Sequence, residues 1–290
     1  MNFTLEAAVI AAIIAAVTSL ITVWLQKRGE KWLYNFKINA QHKHDQQIKI
    51  KDSIAKNKIQ LINAAEELNH RLWNLISNYD KGWHKVNGNY GQDEKYYFNS
   101  FVFRLTNFLW WSSKADLDLE YFDTTIAEDS DLYYVKYVRF FTLTMCQTTL
   151  FDEMDYDTEY AEDHFFKHIL EDEIASFTGN NNSISYSYYL TNLQRTHADL
   201  KKICRFIDNI RPDTDNLRWI RLYALHLAII SFLNIYGYDF QKTNSSQIKQ
   251  VISGMKKHKY GELGLKNYKV MLEKINLQNE EETKKILEHF

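Results

Sequence analysis

Residues Ala7 to Leu25 read AAVIAAIIAAVTSLITVWL, nineteen positions without a charge, interrupted only by Thr18, Ser19 and Thr22. Coiled at 1.5 Å per residue, the run is about 28 Å long, close to the ~30 Å hydrocarbon core of a bilayer. A cleavable signal peptide would carry basic residues ahead of the apolar run, whereas Met1 to Glu6 contain none and include an acid. The basic residues come afterwards, at Lys27, Arg28, Lys31 and Lys37, and Trp24 and Trp32 bracket that boundary. The positive-inside rule then places the amino end outside and the bulk of the chain in the cytoplasm. The run predicts a transmembrane helix within residues 1–28.

Its composition predicts more than an anchor. Ala7, Ala11 and Ala15 repeat at four-residue spacing, with Ser19 continuing the row, and Ala8, Ala12 and Ala16 repeat likewise. Small residues every fourth position let a second helix approach closely. Thr18, Ser19 and Thr22 offer hydroxyls toward the cytoplasmic half. In an oligomer, Glu6 would form a carboxylate ring of the kind that steers cations into pores. The expected oligomerisation and pore residues are therefore Glu6, Ala8, Ala12, Ala16, Thr18, Ser19 and Thr22. The competing explanation is that alanine simply favours helix and the hydroxyls bond back to their own turn.

The remaining chain predicts an all-α fold. Of 290 residues, 45% are apolar, enough for a real core and too many for a disordered chain. One proline and nine glycines argue against a turn-rich sandwich or barrel. Two cysteines, Cys146 and Cys204, exclude a disulfide framework or a four-thiolate zinc site. Ile48, Ile50, Ile54, Ile59, Leu61, Ile62, Ala65, Leu68, Leu72, Leu75 and Ile76 fall mostly at three- and four-residue steps, the period of an amphipathic helix. Residues 29–80 are expected to form a stalk, its polar part between Asn39 and Asp52, and 81–290 a cytoplasmic helical domain. Further helices are expected near 96–113, 132–155, 159–176, 188–210, 216–236, 246–257 and 265–289, with Asp93, Asp131, Asp215 and Ser246 as caps. Residues 178–185 read as an exposed loop.

Charge is segregated. Residues 116–173 hold seventeen acids and three bases, while 27–58 hold nine bases and three acids, and 242–274 hold eight lysines and two acids. The first basic block suits a membrane surface, and the acidic block a solvated face. The distal basic region interleaves tyrosines with lysines between glycines, a pattern that holds phosphates while rings stack on bases. Residues 190–290 are accordingly expected to sense an anionic ligand. The predicted contacts are Arg205, Arg211, Arg218, Arg221, Lys249, Lys256, Lys257, Lys259, Tyr260, Lys266 and Lys269. The opposing explanation is a basic surface that merely balances the acidic one.

Signals for catalysis are thin. There is no phosphate loop, dinucleotide fingerprint or nucleophile elbow. His164 and His168, spaced i, i+4, could face one way on a helix, but Phe165 stands where a zinc hydrolase needs Glu. Asp152, Glu153, Asp155 and Asp157 lack the glycine and closing glutamate of a calcium loop. Cys146 reads as an inert core thiol, and Cys204, beside Lys201, Lys202 and Arg205, as mildly activated. No catalytic residue, metal or cofactor is expected.

The layout of one membrane helix followed by a cytoplasmic helical domain, with the distal basic segment, resembles membrane effectors of bacterial anti-phage defence. The nearest resemblance is to the channel subunit of Hailong-type systems. The stretch Ala64–Ile76, AAEELNHRLWNLI, also looks like a helix of bacterial single-pass proteins. The resemblance implies a homo-oligomer in the bacterial inner membrane, a tetramer being one option. It also implies an ion channel gated by a nucleotide or short DNA oligomer that a partner nucleotidyltransferase makes. The alternative is a membrane-tethered scaffold that docks a protein partner without forming a pore.

Overall fold

Helix α1 runs from Phe3 to Asn78, and two compact units divide it, Met1–Lys49 and Ile50–Phe290. The computed structural model describes residues 3–157, 163–179 and 182–290, with side chains from Ala8 onward. The side chain of Glu6 and the segment 158–162, at the start of the helix expected over 159–176, therefore lie outside the described residues.

In the first unit nothing covers the apolar surface. Ile10, Ile13, Ile14, Leu20 and Trp24 are all more than half exposed. The helix is long and apolar enough to cross a membrane. Where the apolar run ends, the Arg28 guanidinium lies 5.1 Å from the centroid of the Trp24 ring, and Trp32 stacks on Phe36 at 5.6 Å. Aromatic and basic side chains so interleaved suit the boundary between hydrocarbon and headgroups.

The second unit is helical and built around α8, Arg218–Tyr236. That helix is as apolar as a membrane span, but it is buried on every side, as a central core helix must be. Before it come α2 (Tyr96–Leu119), α3 (Asp129–Cys146), α4 (Lys167–Ser176) and the short α5 (Tyr186–Thr191), α6 (Leu193–Asp199) and α7 (Lys201–Ile207). After it come α9 (Ser245–Met255), α10 (Gly261–Lys274) and α11 (Glu281–Leu287). Helix α8 packs on α3, α9, α10 and α11, while α2 packs on α3, α4 and α7. The Ile50–Asn78 part of α1 joins both groups. Its Asn69 and Trp73 meet His226 of α8, and Asn57 and Arg71 bond Asp118 and Ser100 of α2.

The later half of the expected stalk thus belongs to the globular unit, because Leu61, Ala65, Leu68 and Leu72 form a fully buried stripe. Helix α2 runs beyond Ser113, since Ala115 and Leu119 prolong its buried face. The helix expected over 132–155 stops at Cys146, where Gln147 turns extended. The one expected over 188–210 bends at Asn192 and Leu200 into three. The one over 265–289 is cut at Asn276, whose φ of 55° lies in the left-handed region that asparagine tolerates. None of the expected residues caps a helix. Asn244 instead starts α9 with a reciprocal pair of bonds to Gln247, and Glu280 caps α11 through the amides of Glu282 and Thr283. Within 178–185, β1 (Thr178–Gly179) and β2 (Asn182–Ser183) pair antiparallel, the only strands among the described residues.

Candidate functional site

On the amino-terminal part of α1, side-chain size divides, with Val23 the one bulky residue on the small side. At roughly 100° per residue, Ala8, Ala11, Ala12, Ala15, Ser19 and Thr22 fall on one side, and Ile10, Ile13, Val17, Leu20 and Ile21 on the other. Ala8, Ala12, Ala16 and Ser19 are exposed. Thr18 donates to the Ile14 carbonyl and Thr22 to the Thr18 carbonyl, each at 2.8 Å, so both are turned back on their own helix.

The distal basic residues are not one open surface. Arg221 is fully buried and donates to the carbonyls of Thr144, Gln147 and Asp163, with its guanidinium 4.3 Å from the centroid of the Phe151 ring. Burial lowers it to about 10. Arg218, also buried, donates to the carbonyls of Arg205, Phe206 and Asp208 and lies 3.5 Å from Asp163. These two arginines spend their donors on backbone carbonyls and fasten those segments to the core. Arg211 forms a fork-to-fork pair with Asp213, at 2.8 Å for each bond.

Among the rest, Lys256 pairs with Glu262, Lys259 with Asp215 and Lys266 with Glu153, while Tyr260 donates to Asp155. Lys257 lies 4.9 Å from the centroid of the Tyr79 ring. Arg205, Lys249 and Lys269 are exposed and pair with no described carboxylate, but they stand on three different helices, α7, α9 and α10. Lys266 and Tyr260 thus reach the acidic stretch, while Lys256 and Lys259 find carboxylates outside it. The glycines of this region serve packing instead of flexibility. A Cβ on Gly254 would sit 2.5 Å from the Tyr223 ring, and one on Gly264 2.7 Å from Ile220.

A different cationic site forms between α1 and α2. Arg71 is 7% exposed, and its Nη2 donates to the Ser100 hydroxyl at 2.7 Å. Arg104 donates to the same oxygen at 2.9 Å. The two cations therefore lie on the order of 5 Å apart, a repulsion of about 3 kcal/mol at an effective dielectric of ~20. The carboxylate nearest to Arg104 is that of Glu67, at 4.0 Å and half exposed. Arg71 pairs with no described carboxylate, and its Nε is buried without a partner. Its guanidinium lies 4.5 Å from the Tyr97 ring centroid and 5.7 Å from that of Tyr96.

Around these arginines a cleft of about 560 Å³ is lined by His70, Asn74, Trp83, Tyr96 and Tyr97. Trp83 and Tyr96 are 47% and 59% exposed. Burial acts to raise the Tyr96 phenol, yet its hydrogen bond with Ser100 and the charges of Arg71 and Arg104 hold it below its ordinary value. Burial dominates at Tyr97, whose phenol is pushed up to about 12. The site is electropositive and aromatic, and one of its cations lacks a counter-ion.

The remaining sequence candidates hold no site. His164 precedes α4, which begins at Lys167, so it does not share a helix face with His168. No group of three metal-ligating side chains occurs among the described residues. Cys204 is not activated: it is fully buried, and burial raises its thiol well above the ordinary range. Burial also pushes Cys146, which is half-buried, up to about 11.

Arg71, Arg104, Tyr96, Tyr97 and Trp83 were not legible as a site. One available signal was Arg71 itself, three residues after Leu68 and four before Leu75, a charge at core spacing within AAEELNHRLWNLI. Comparison with protein-family models, with curated proteins and with solved structures finds no match to this chain.

Proposed function

We propose that this protein is a membrane effector whose amino-terminal helices assemble into an ion-conducting oligomer, gated by an anionic signal bound to the globular unit. The observation that carries this reading is the division of α1: small side chains on one side from Ala8 to Thr22, bulky ones on the other, and the described apolar segment uncovered. A helix that only anchors has no use for a flat side, whereas a helix that meets its own copies does. The lysines and Arg28 after the span orient the amino end outward and leave the globular unit in the cytoplasm of a bacterial cell. There it receives a nucleotide or short oligonucleotide made by a partner nucleotidyltransferase during anti-phage defence. Ligand gain or loss shifts the population between packings of the assembly, and with it conduction. No catalytic step is assigned to the chain.

The reading is tested by ion flux from liposomes carrying the purified full chain. Flux that responds to added nucleotides or oligonucleotides, and is lost when Ala8, Ala12 and Ala16 are all replaced by Leu, supports it. Liposomes that stay tight under every ligand condition overturn it. The alternative is a membrane-tethered scaffold that docks a protein partner without a pore. It draws on the Thr18 and Thr22 hydroxyls, whose protons are committed to their own helix.

A further inference from the structure

We infer that the cleft between α1 and α2 binds one nucleotide, its phosphate on the paired guanidiniums of Arg71 and Arg104 and its base on the exposed rings of Trp83 and Tyr96. The inference supplies a site and a ligand class for the sensing step proposed above, and moves that step away from the distal lysines.

Three features of the cleft argue for an anion. Both guanidiniums converge on one neutral hydroxyl, that of buried Ser100. Two cations drawn together on an uncharged oxygen call for an anion placed between them. Arg71 is more than nine-tenths buried, lines the cleft, and pairs with no described carboxylate. A buried cation without an anionic partner is costly unless something charged completes it. Arg104 is accessible at the cleft's edge, with a side chain 28% exposed. Planar guanidinium forks match the oxygens of a phosphate, and two forks on one group fix its orientation.

The aromatic side chains argue for a ring on the same ligand. Trp83 and Tyr96 are exposed aromatic residues of a cleft in which the Tyr97 ring is already covered by Arg71 at 4.5 Å. Lys81 lies 4.8 Å from the centroid of the Trp83 ring, which adds positive charge at the rim. Exposed rings beside phosphate-binding cations are the arrangement by which proteins stack nucleobases. A volume of about 560 Å³ suits a ligand of this size. A long polyanion fits less well. Glu66 lies 3.7 Å from His70 on the rim, and Glu67 faces Arg104 from the adjoining cleft, so a continuing phosphate backbone would run over carboxylates.

The test is calorimetric titration of the full chain in detergent with the four common nucleoside 5′-monophosphates, inorganic phosphate, adenosine and a DNA tetramer. At least one monophosphate is expected to bind saturably, at least tenfold more tightly than inorganic phosphate or adenosine. Arg104→Gln should weaken it at least tenfold. Trp83→Ala should weaken the nucleotide several-fold and leave inorganic phosphate unchanged. Because Arg71 is buried, Arg71→Lys is the variant to use there; it keeps the charge, loses the fork and should also weaken binding. The inference is overturned if no monophosphate binds saturably at millimolar concentration, or if Arg104→Gln and Trp83→Ala leave the affinity unmoved. Tighter binding of the tetramer that ignores both substitutions also overturns it. Nucleotide binding at the cleft with tight liposomes would remove the channel reading and leave the site standing. Ligand-dependent flux without nucleotide binding would remove the site alone.

Discussion

Two buried histidines make the globular unit sensitive to mild acid. His226 of α8 lies in the core, its Nε2 2.8 Å from the Asn69 side-chain oxygen, and burial holds it down at about 3. His197 accepts the Gly91 amide on Nδ1 at 2.8 Å and meets the Tyr189 hydroxyl through Nε2 at 2.6 Å, and burial lowers it to about 4. Both rings are neutral in the folded chain, and a proton on His197 Nδ1 would displace the Gly91 bond. In the unfolded chain each titrates near 6.5. A folded value below the unfolded one means stability that is complete above pH 6.5 and lost as pH falls toward 4. At pH 5 the unfolded chain holds nearly two protons at these sites and the folded chain almost none. The loss between pH 7 and 5 is about 2 kcal/mol for each, or about 4 kcal/mol together. For a unit of this size that lowers Tm on the order of 10 °C.

His164, held at about 4 by burial and by the charges of Arg221 and Lys202, adds to this loss, and His84 and His258, also held low by burial, act in the same direction. Asp118, held at about 2 by Lys114, Asn57 and Lys56 against burial, contributes only at lower pH. Thermal melts followed by circular dichroism at pH 7, 6 and 5 measure the effect. His226→Gln keeps a donor toward Asn69 and removes the titration, so it should abolish about 2 kcal/mol of the acid loss. A melting temperature equal at pH 7 and 5, or a pH dependence unchanged by His226→Gln, would refute the reasoning.

Two further substitutions probe the packing. Gly254→Ala drives a methyl against the rigid Tyr223 ring, 2.5 Å away, and should destabilise the unit by about 1–3 kcal/mol, read as a shift of the denaturation midpoint. Arg221→Met leaves the carbonyls of Thr144, Gln147 and Asp163 without their donors. It should cost about 2–4 kcal/mol, while nucleotide affinity per folded molecule stays as in the parent chain.

How far the sequence could be read depended on whether a property was local. Apolar period and charge-free length are local, so the helix from Ala7 onward and the cores of α2, α8 and α9 were legible. Helix ends were less so, because Asn276 in the left-handed region and the bends at Asn192 and Leu200 answer to tertiary packing. The charged residues were the hardest to place. Arg218 and Arg221 look like surface cations in a basic stretch, yet backbone carbonyls, of α7 for Arg218 and of segments more than fifty residues away for Arg221, draw them into the core. Lys259 and Lys266 find Asp215 and Glu153, partners 44 and 113 residues away. Arg71 and Arg104 are separated by a loop and two helical segments, and only folding sets them on one hydroxyl.

Disulfide trapping in membranes tests self-association through the small-residue side of α1 most directly. The native thiols interfere little, since burial raises both Cys146 and Cys204 above neutral reactivity. Single cysteines at Ala12 or Ser19 should cross-link to their own copies on mild oxidation, and cysteines at Ile10 or Val17, on the opposite side, should not. Cross-linking that is absent at all four positions, or equal at all four, would contradict the account.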